Sequence, residues 1–193
     1  MRSRLTPSQT VGPFFAYGLA AKQYGYPDNQ IADGVLLGEA TPGDRIRITG
    51  RVFDGGGAPI PDALVEIWQA DAAGRYPGTG GSNVEFTGFG RQGTGADPAS
   101  RFIFLTVKPG KVDARQAPHI TIIVFMRGLL THVYTRLYFS DEASANALDP
   151  VLAAVPASRR HTLIAIRDPL AAEALYRFDI RMQGKDETVF FDI

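Results

Sequence analysis

The chain has 193 residues, of which 45% are hydrophobic, and this length and composition suit one domain with a substantial core. Its 20 basic and 20 acidic side chains give a formal net charge of zero, which gives no reason to expect a nucleic acid or an anionic membrane as partner. Cysteine is absent, which excludes disulfides, thiolate metal sites and cysteine nucleophiles. We expect a cytoplasmic protein, because the sequence shows neither a signal-peptide pattern nor an apolar run long enough to span a membrane.

The first 40 residues differ from the rest of the chain. They combine aromatic residues with frequent glycine and proline and show no alternating pattern. So many aromatic side chains would be a liability if they were exposed. We therefore predict an N-terminal arm over residues 1–40 that packs against its own core or against a partner, followed by a core domain over residues 41–193.

Most of the remaining sequence consists of short apolar segments between turn residues, a pattern typical of β-strands. In 45–53, alternation places Ile46 and Ile48 on one face. The segment 120–126 is apolar on both faces and is predicted to be a central strand. The other predicted strands are 63–70, 101–107, 132–139, 162–167, 176–182 and 188–193. Roughly eight or nine strands with turns between them predict an all-β fold with a β-sandwich core.

One short helical segment is predicted near 141–155. Ser140 is a candidate N-cap, and Asp141 and Glu142 fall in the first turn, where the helix dipole favours negative charge. Pro150 is expected to split or kink this segment, because proline lacks the amide hydrogen that a helix interior requires.

Three histidines are candidates for chemistry, and His119 is the most informative because it stands where a loop enters the central strand. Two metal ligands on one face of a strand must be two residues apart. That position holds Thr121, whose hydroxyl is a poor metal ligand, so a strand-borne pair of histidines is incomplete. The patterns around His132 and His161 favour structural and surface roles, respectively.

Arg127 is a second candidate, at the other end of the same strand and directly before Gly128. A guanidinium at the end of a central strand could bind a carboxylate through two parallel hydrogen bonds. The pattern alone favours a solvated or ion-paired arginine.

Several segments in this order give the chain a resemblance to the intradiol ring-cleaving dioxygenases, in particular to the branch built from two homologous kinds of subunit. The resemblance covers nearly the whole chain and implies a β-sandwich core, in agreement with the strand pattern. The segments that carry it are T-P-S-Q-T-V-G-P-F (6–14), V-E-I-W-Q-A-D-A-A-G-R-Y (65–76), T-V-K-P-G (106–110), A-P-H-I (117–120), T-R-L-Y-F-S-D-E (135–142) and Y-R-F-D-I-R-M-Q-G-K-D-E-T-V-F-F-D-I (176–193).

The resemblance also implies that this chain holds no metal. The iron-binding subunit of the family uses two tyrosines and two histidines, the histidines in an H-I-H pattern after R-P-A. His119 matches the first histidine, Thr121 replaces the second, and Gln116 stands in place of the arginine. Segments 111–115 and 77–86 lack the expected tyrosines. His119 is therefore predicted to be the vestige of an iron site, since phenolates are needed to stabilise a ferric ion.

The function implied by the resemblance is that of a non-catalytic alpha subunit paired with a homologous, iron-binding beta subunit. The pair would cleave 3,4-dihydroxybenzoate with O2 to 3-carboxy-cis,cis-muconate, with Fe3+ bound by the beta subunit. Positions that match the wall of the substrate pocket are Thr10, Gly12, Pro13 and Arg127. Gly12 and Pro13 would let the backbone approach the aromatic ring, and Arg127 would attract its carboxylate.

Two alternatives stay open. One is a single-subunit intradiol dioxygenase that binds its own iron, against which the missing tyrosines and Thr121 argue. The other is a β-sandwich binding or transport module without an enzymatic role, against which the match over 176–193 argues.

Overall fold

The computed structural model describes residues 10–12, 15–27, 31–81 and 85–192. Three short α-helices lie in this part of the chain: α1 (Phe15–Leu19), α2 (Ala143–Asn146) and α3 (Pro150–Ala154), with 3-10 turns at Ala21–Tyr24 and Ala157–Leu163. Its strands are β1 (Arg45–Phe53), β2 (Leu64–Trp68), β3 (Phe89–Gly93), β4 (Arg101–Val107), β5 (His119–Phe125), β6 (Val133–Phe139), β7 (Ile164–Arg167), β8 (Ala174–Arg177) and β9 (Ile180–Arg181). No helix of the described residues is both long and apolar enough to cross a membrane.

The strands form two packed layers, which confirms the predicted β-sandwich. The strand order is β3-β2-β5-β6-β7-β8-β1-β4, and β9 pairs with β1 outside this path. The short strand β7 pairs with β6 in one layer and with β8 in the other, so it joins the two layers. Side chains from both layers form one buried cluster, including Ile46 and Ile48 of β1 and Ile120, Ile122 and Val124 of β5.

The central position predicted for the strand near 120–126 is confirmed. Strand β5 lies between β2 and β6 and is antiparallel to both. Its alternate residues Ile120, Ile122 and Val124 are fully buried in the core, whereas Thr121 and Ile123 on the other face are half-buried. The outer face of this strand therefore carries the side chains that are accessible to a ligand or a partner.

The described part of the arm packs on its own sandwich. In the first part, Ala16 and Ala20 contact the buried Leu64, and the ring of Phe15 lies 5.6 Å from that of Phe125. Farther along the chain, the backbone of residues 33–36 bonds to both outer strands: Arg91 of β3 donates to the Asp33 carbonyl at 2.9 Å, and Leu105 of β4 donates to the Gly34 carbonyl at 2.7 Å. Residues 33–36 thus cover backbone groups at the open edges of both layers.

The helical segment near 141–155 is two helices rather than one. Pro150 occupies the first turn of α3, as its lack of an amide hydrogen predicts. The prediction of Ser140 as N-cap is wrong: Glu142 precedes α2 without a capping hydrogen bond, and the Ser140 hydroxyl accepts from the amide of Arg167 at 3.0 Å. The residue that caps a helix here is Asp149, which accepts from two amides of α3.

Candidate functional site

The two candidate residues of β5 lie at its opposite ends. His119 begins the strand, and Arg127 follows it by two residues, after Met126. These positions have different surroundings, since the His119 side chain is buried whereas the side chain of Arg127 is 59% exposed. Only the Arg127 end is therefore open to a group from outside the chain.

The structure brings part of the arm against the Arg127 end. The amide of Gly128 donates to the hydroxyl of Thr10 at 3.0 Å, so the arm is fixed to the residue that follows Arg127. Gly128 has a φ of +90°, a left-handed conformation that glycine adopts without strain, and it turns the chain after β5. Thr10 and Arg127, two of the four residues predicted to line a substrate pocket, are thus held near each other.

The other two predicted residues belong to the same piece of the arm. Gly12 accepts a hydrogen bond from the amide of Phe15 at 3.1 Å, where α1 begins. A side chain built at Gly12 would meet no atom of the described residues within 4 Å, so the described chain leaves the space beside this backbone open. Pro13 lies outside the described residues.

An apolar cleft of about 300 Å³ lies between the arm and the turn after β5. Leu130 on its rim is 66% exposed. The cleft is lined by Val11, Phe15, Phe125, Met126, Leu129, Leu130, Thr131 and His132. The arm and the Arg127 turn therefore have an apolar surface next to them, which suits contact with an aromatic ring or an apolar side chain.

Arg127 also makes an ion pair, with a partner that the sequence pattern did not indicate. Its Nε contacts Oδ2 of Asp62, a residue in the turn before β2 whose side chain is only 17% exposed. The arginine is therefore ion-paired within the chain, which was one of the two expectations for it. Its Nη groups have no acceptor among the described residues and remain available.

The His119 end of β5 is closed by internal hydrogen bonds. Nδ1 of His119 lies 2.8 Å from the carbonyl oxygen of Ala117, and since a carbonyl only accepts, Nδ1 carries the hydrogen. Burial lowers the pKa of His119 below its ordinary value of 6.5. The imidazole is thus neutral, and its position and tautomer are fixed by the chain itself.

A guanidinium lies beside this imidazole. Arg136 of β6 is paired in register with Thr121 of β5. Its Nη1 donates to Oε1 of Gln116 at 3.1 Å. After burial, the positive charge of Arg136 is a further cause of the lowered pKa of His119. Where the family pattern would have a second histidine, this chain therefore has the hydroxyl of Thr121, with a guanidinium on the neighbouring strand.

The phenol of Tyr138, next to His119, serves a structural purpose. The ring of Tyr138 lies 5.9 Å from that of His119, and its hydroxyl donates to Oδ1 of Asp149 at 3.2 Å. Burial raises the pKa of Tyr138 to about 12, so the hydroxyl keeps its proton at neutral pH. Asp149 is fully buried and is used by helix α3 and by the amide of Ala117.

These residues do not fit a ferric ion. No group of three or more histidine, cysteine, aspartate or glutamate side chains in the described part of the chain could hold a metal. The other nearby phenol, Tyr76, stacks on Trp68 with 5.7 Å between the rings, and burial raises its pKa. An ion here would have a single imidazole next to the charge of Arg136, while the hydroxyl of Tyr138 is held by Asp149, which is a poor set for Fe3+.

Comparison with known proteins agrees with this fold. The family described as Dioxygenase matches residues 20–184. A solved dioxygenase domain from Streptomyces sp. SirexAA-E is 26% identical, covers 91% of this chain and 96% of its own, and superposes with a TM-score of 0.59. The chain belongs to the dioxygenase family of intradiol ring-cleaving enzymes, a family that uses iron.

Within this family, the chain is most informatively compared with two curated chains from Burkholderia cepacia. It is 52% identical to the protocatechuate 3,4-dioxygenase alpha chain, over 97% of both sequences. It is 33% identical to the beta chain of protocatechuate 3,4-dioxygenase, over 87% of this chain and 77% of that chain. The similarity is thus much greater to an alpha chain than to a beta chain.

Proposed function

We propose that this chain is the non-catalytic alpha subunit of a protocatechuate 3,4-dioxygenase, which forms part of the substrate pocket where it meets a beta subunit. The observation that carries this proposal is the contrast between the two ends of β5. At the His119 end the imidazole and Arg136 are held by hydrogen bonds within the chain, whereas the Arg127 end presents an exposed guanidinium beside the arm. The 52% identity to an alpha chain supports the same assignment.

In the proposed enzyme, this chain binds and orients the substrate, 3,4-dihydroxybenzoate. The free Nη groups of Arg127 donate to its carboxylate, and such charge-assisted, paired hydrogen bonds fix both position and direction. The open backbone at Gly12 permits close approach of the ring, and Thr10 anchors that backbone to Gly128. The ferric ion, held by the beta subunit, would supply the chemistry that makes the ring reactive toward O2.

The second contribution of this chain is the exclusion of water. Phe15 and Phe125 pack against each other behind the arm, and Leu130 and Met126 line the adjacent cleft. When a partner covers this surface, the carboxylate and Arg127 interact in a drier environment, where the attraction between opposite charges is stronger. The product would be 3-carboxy-cis,cis-muconate.

Two alternatives are less well supported. A single-subunit enzyme would need iron ligands that the residues around His119 do not provide. A β-sandwich binding or transport module without an enzymatic role would share the fold, but it does not account for 52% identity to a dioxygenase subunit over 97% of the chain.

Co-expression with a beta-chain homologue tests the proposed function. Oxygen uptake on protocatechuate is expected from the co-purified pair and is expected to be absent from this chain alone, because only the pair would combine an iron site with the complete pocket wall. Uptake by the isolated chain would show that it contains its own catalytic centre. A beta homologue that is fully active without this chain would remove its role in the pocket.

A further inference from the structure

Asp62 and Arg127 continue the pairing of two neighbouring strands. In the antiparallel ladder between β2 and β5, Leu64 is opposite Phe125 and Val65 is opposite Val124. Extending this register two places past Leu64 sets Asp62 opposite Arg127. The contact between their side chains is therefore built into the ends of the two strands, which makes it more reproducible than an ion pair between mobile surface loops.

The two side chains of the pair differ in their exposure to solvent. The Asp62 side chain is 17% exposed, and its Oδ2 is buried and has no hydrogen-bond partner among the described residues, so the ion pair with Arg127 is the contact that compensates its charge. A buried carboxylate oxygen is costly unless a positive charge faces it, so Asp62 requires the guanidinium. Arg127, at 59% exposure, is anchored at one side and open to solvent at the other.

The geometry of the guanidinium decides what this anchor does. An arginine has one N–H at Nε and two at each Nη, arranged in a rigid plane. Because Nε contacts Asp62, the edge formed by the two Nη groups is the one left for a second carboxylate. The turn that carries Arg127 is fixed as well, through the bond from Gly128 to Thr10.

We propose that Asp62 is a positioning residue, which orients Arg127 so that its two Nη groups face the carboxylate of the aromatic substrate. The proposal rests on the proposed function of Arg127 in this chain. A free arginine side chain must lose its rotational freedom when the substrate binds, and an anchored one has already lost it. Asp62 therefore lowers the KM for a carboxylated catechol without taking part in ring cleavage.

The test uses the complex with the beta homologue and compares protocatechuate with catechol, which lacks the carboxylate. Asp62→Ala is expected to raise the KM for protocatechuate by about two- to tenfold and to leave kcat unchanged. A rise of this size corresponds to the entropic cost of ordering one long side chain when the substrate binds. The KM for catechol is expected to stay the same. Asp62→Asn, which keeps an oxygen acceptor for Nε, is expected to lie closer to the unaltered enzyme than Asp62→Ala does.

A matched control exists elsewhere in the chain. Asp168 pairs with Arg177 at 2.8 Å, and the exposed fractions of these side chains, 19% and 61%, are close to those of Asp62 and Arg127. Asp168→Ala is expected to change neither KM. In a background of Arg127→Ala, adding Asp62→Ala is expected to have no further effect on the KM for protocatechuate, because the positioned group is gone.

The outcomes separate this proposal from the function on which it rests. If Arg127→Ala raises the KM for protocatechuate and Asp62→Ala does not, only the positioning role is overturned. If neither variant changes it, the role of Arg127 in the proposed function is overturned too. A lower KM in Asp62→Ala would show that Asp62 competes with the substrate for the guanidinium, and an equal rise for both substrates would show a merely structural role.

Discussion

Replacement of Arg127 by alanine in the assembled enzyme is expected to raise the KM for protocatechuate by about 10- to 100-fold, which corresponds to the loss of about 1.5–3 kcal/mol of charge-assisted hydrogen bonding. The KM for catechol is expected to change far less, because that substrate has no carboxylate for the guanidinium to bind. The prediction follows from the free Nη groups of Arg127 and from its position beside Thr10.

Steady-state oxygen uptake with both substrates measures this difference. Arg127→Lys is expected to recover only part of the loss, because an ammonium group keeps the charge but cannot form two parallel bonds. Arg177→Ala serves as the control, since Arg177 is equally exposed and also paired with an aspartate. Equal increases in KM for protocatechuate and catechol would contradict the carboxylate role.

Replacement of Asp149 by alanine is expected to be the most damaging change to stability, at about 3–5 kcal/mol of unfolding free energy. The carboxylate is fully buried and accepts from the amides of Val151 and Leu152 at 2.9 Å, from the amide of Ala117 at 2.8 Å and from the hydroxyl of Tyr138 at 3.2 Å. Alanine would remove the cap of α3 and leave buried donors without an acceptor.

Urea unfolding of the purified chain tests this expectation. Asp54→Ala is a suitable control, because Asp54 also accepts from two backbone amides, those of Gly56 and Ala58, but lies in an exposed turn. Its replacement is expected to cost about 0.5–1 kcal/mol, since water can satisfy the exposed amides. A loss below about 1 kcal/mol for Asp149→Ala would contradict the structural role assigned to this carboxylate.

The fold could be predicted wherever apolar periodicity was strong. Strands β1 and β4 begin and end at the predicted residues, 45–53 and 101–107. Strand β3, Phe89–Gly93, was not predicted because F-G-R-Q-G has two glycines and no alternation. It forms because it pairs with β2 and because Gln23 of the arm bonds to the backbone of Gly93. The predicted strand 188–193 is reduced to a bridge between Tyr134 and Phe191.

The candidate site was only partly predictable for a related reason. Thr10 and Gly12 became candidates through the resemblance, and His119 and Arg127 became candidates through their places at the two ends of an apolar run. Asp62, Arg136 and Asp149 were missed because their importance depends on strand register and on burial. Asp62 could have been found by pairing β2 with β5 in register, since this sets it opposite Arg127. The division into an arm and a core at residue 40 stays a prediction.

The central claim, that this chain contributes to an iron enzyme without holding the iron, is tested most directly by the iron content of the chain purified without its partner. Elemental analysis after expression in iron-supplemented medium is expected to show iron far below one equivalent and no red tyrosinate-to-iron colour, whereas the complex with the beta homologue is expected to show both. Near-equimolar iron in the isolated chain would contradict the account, because it would mean that the residues around His119 form a working metal site.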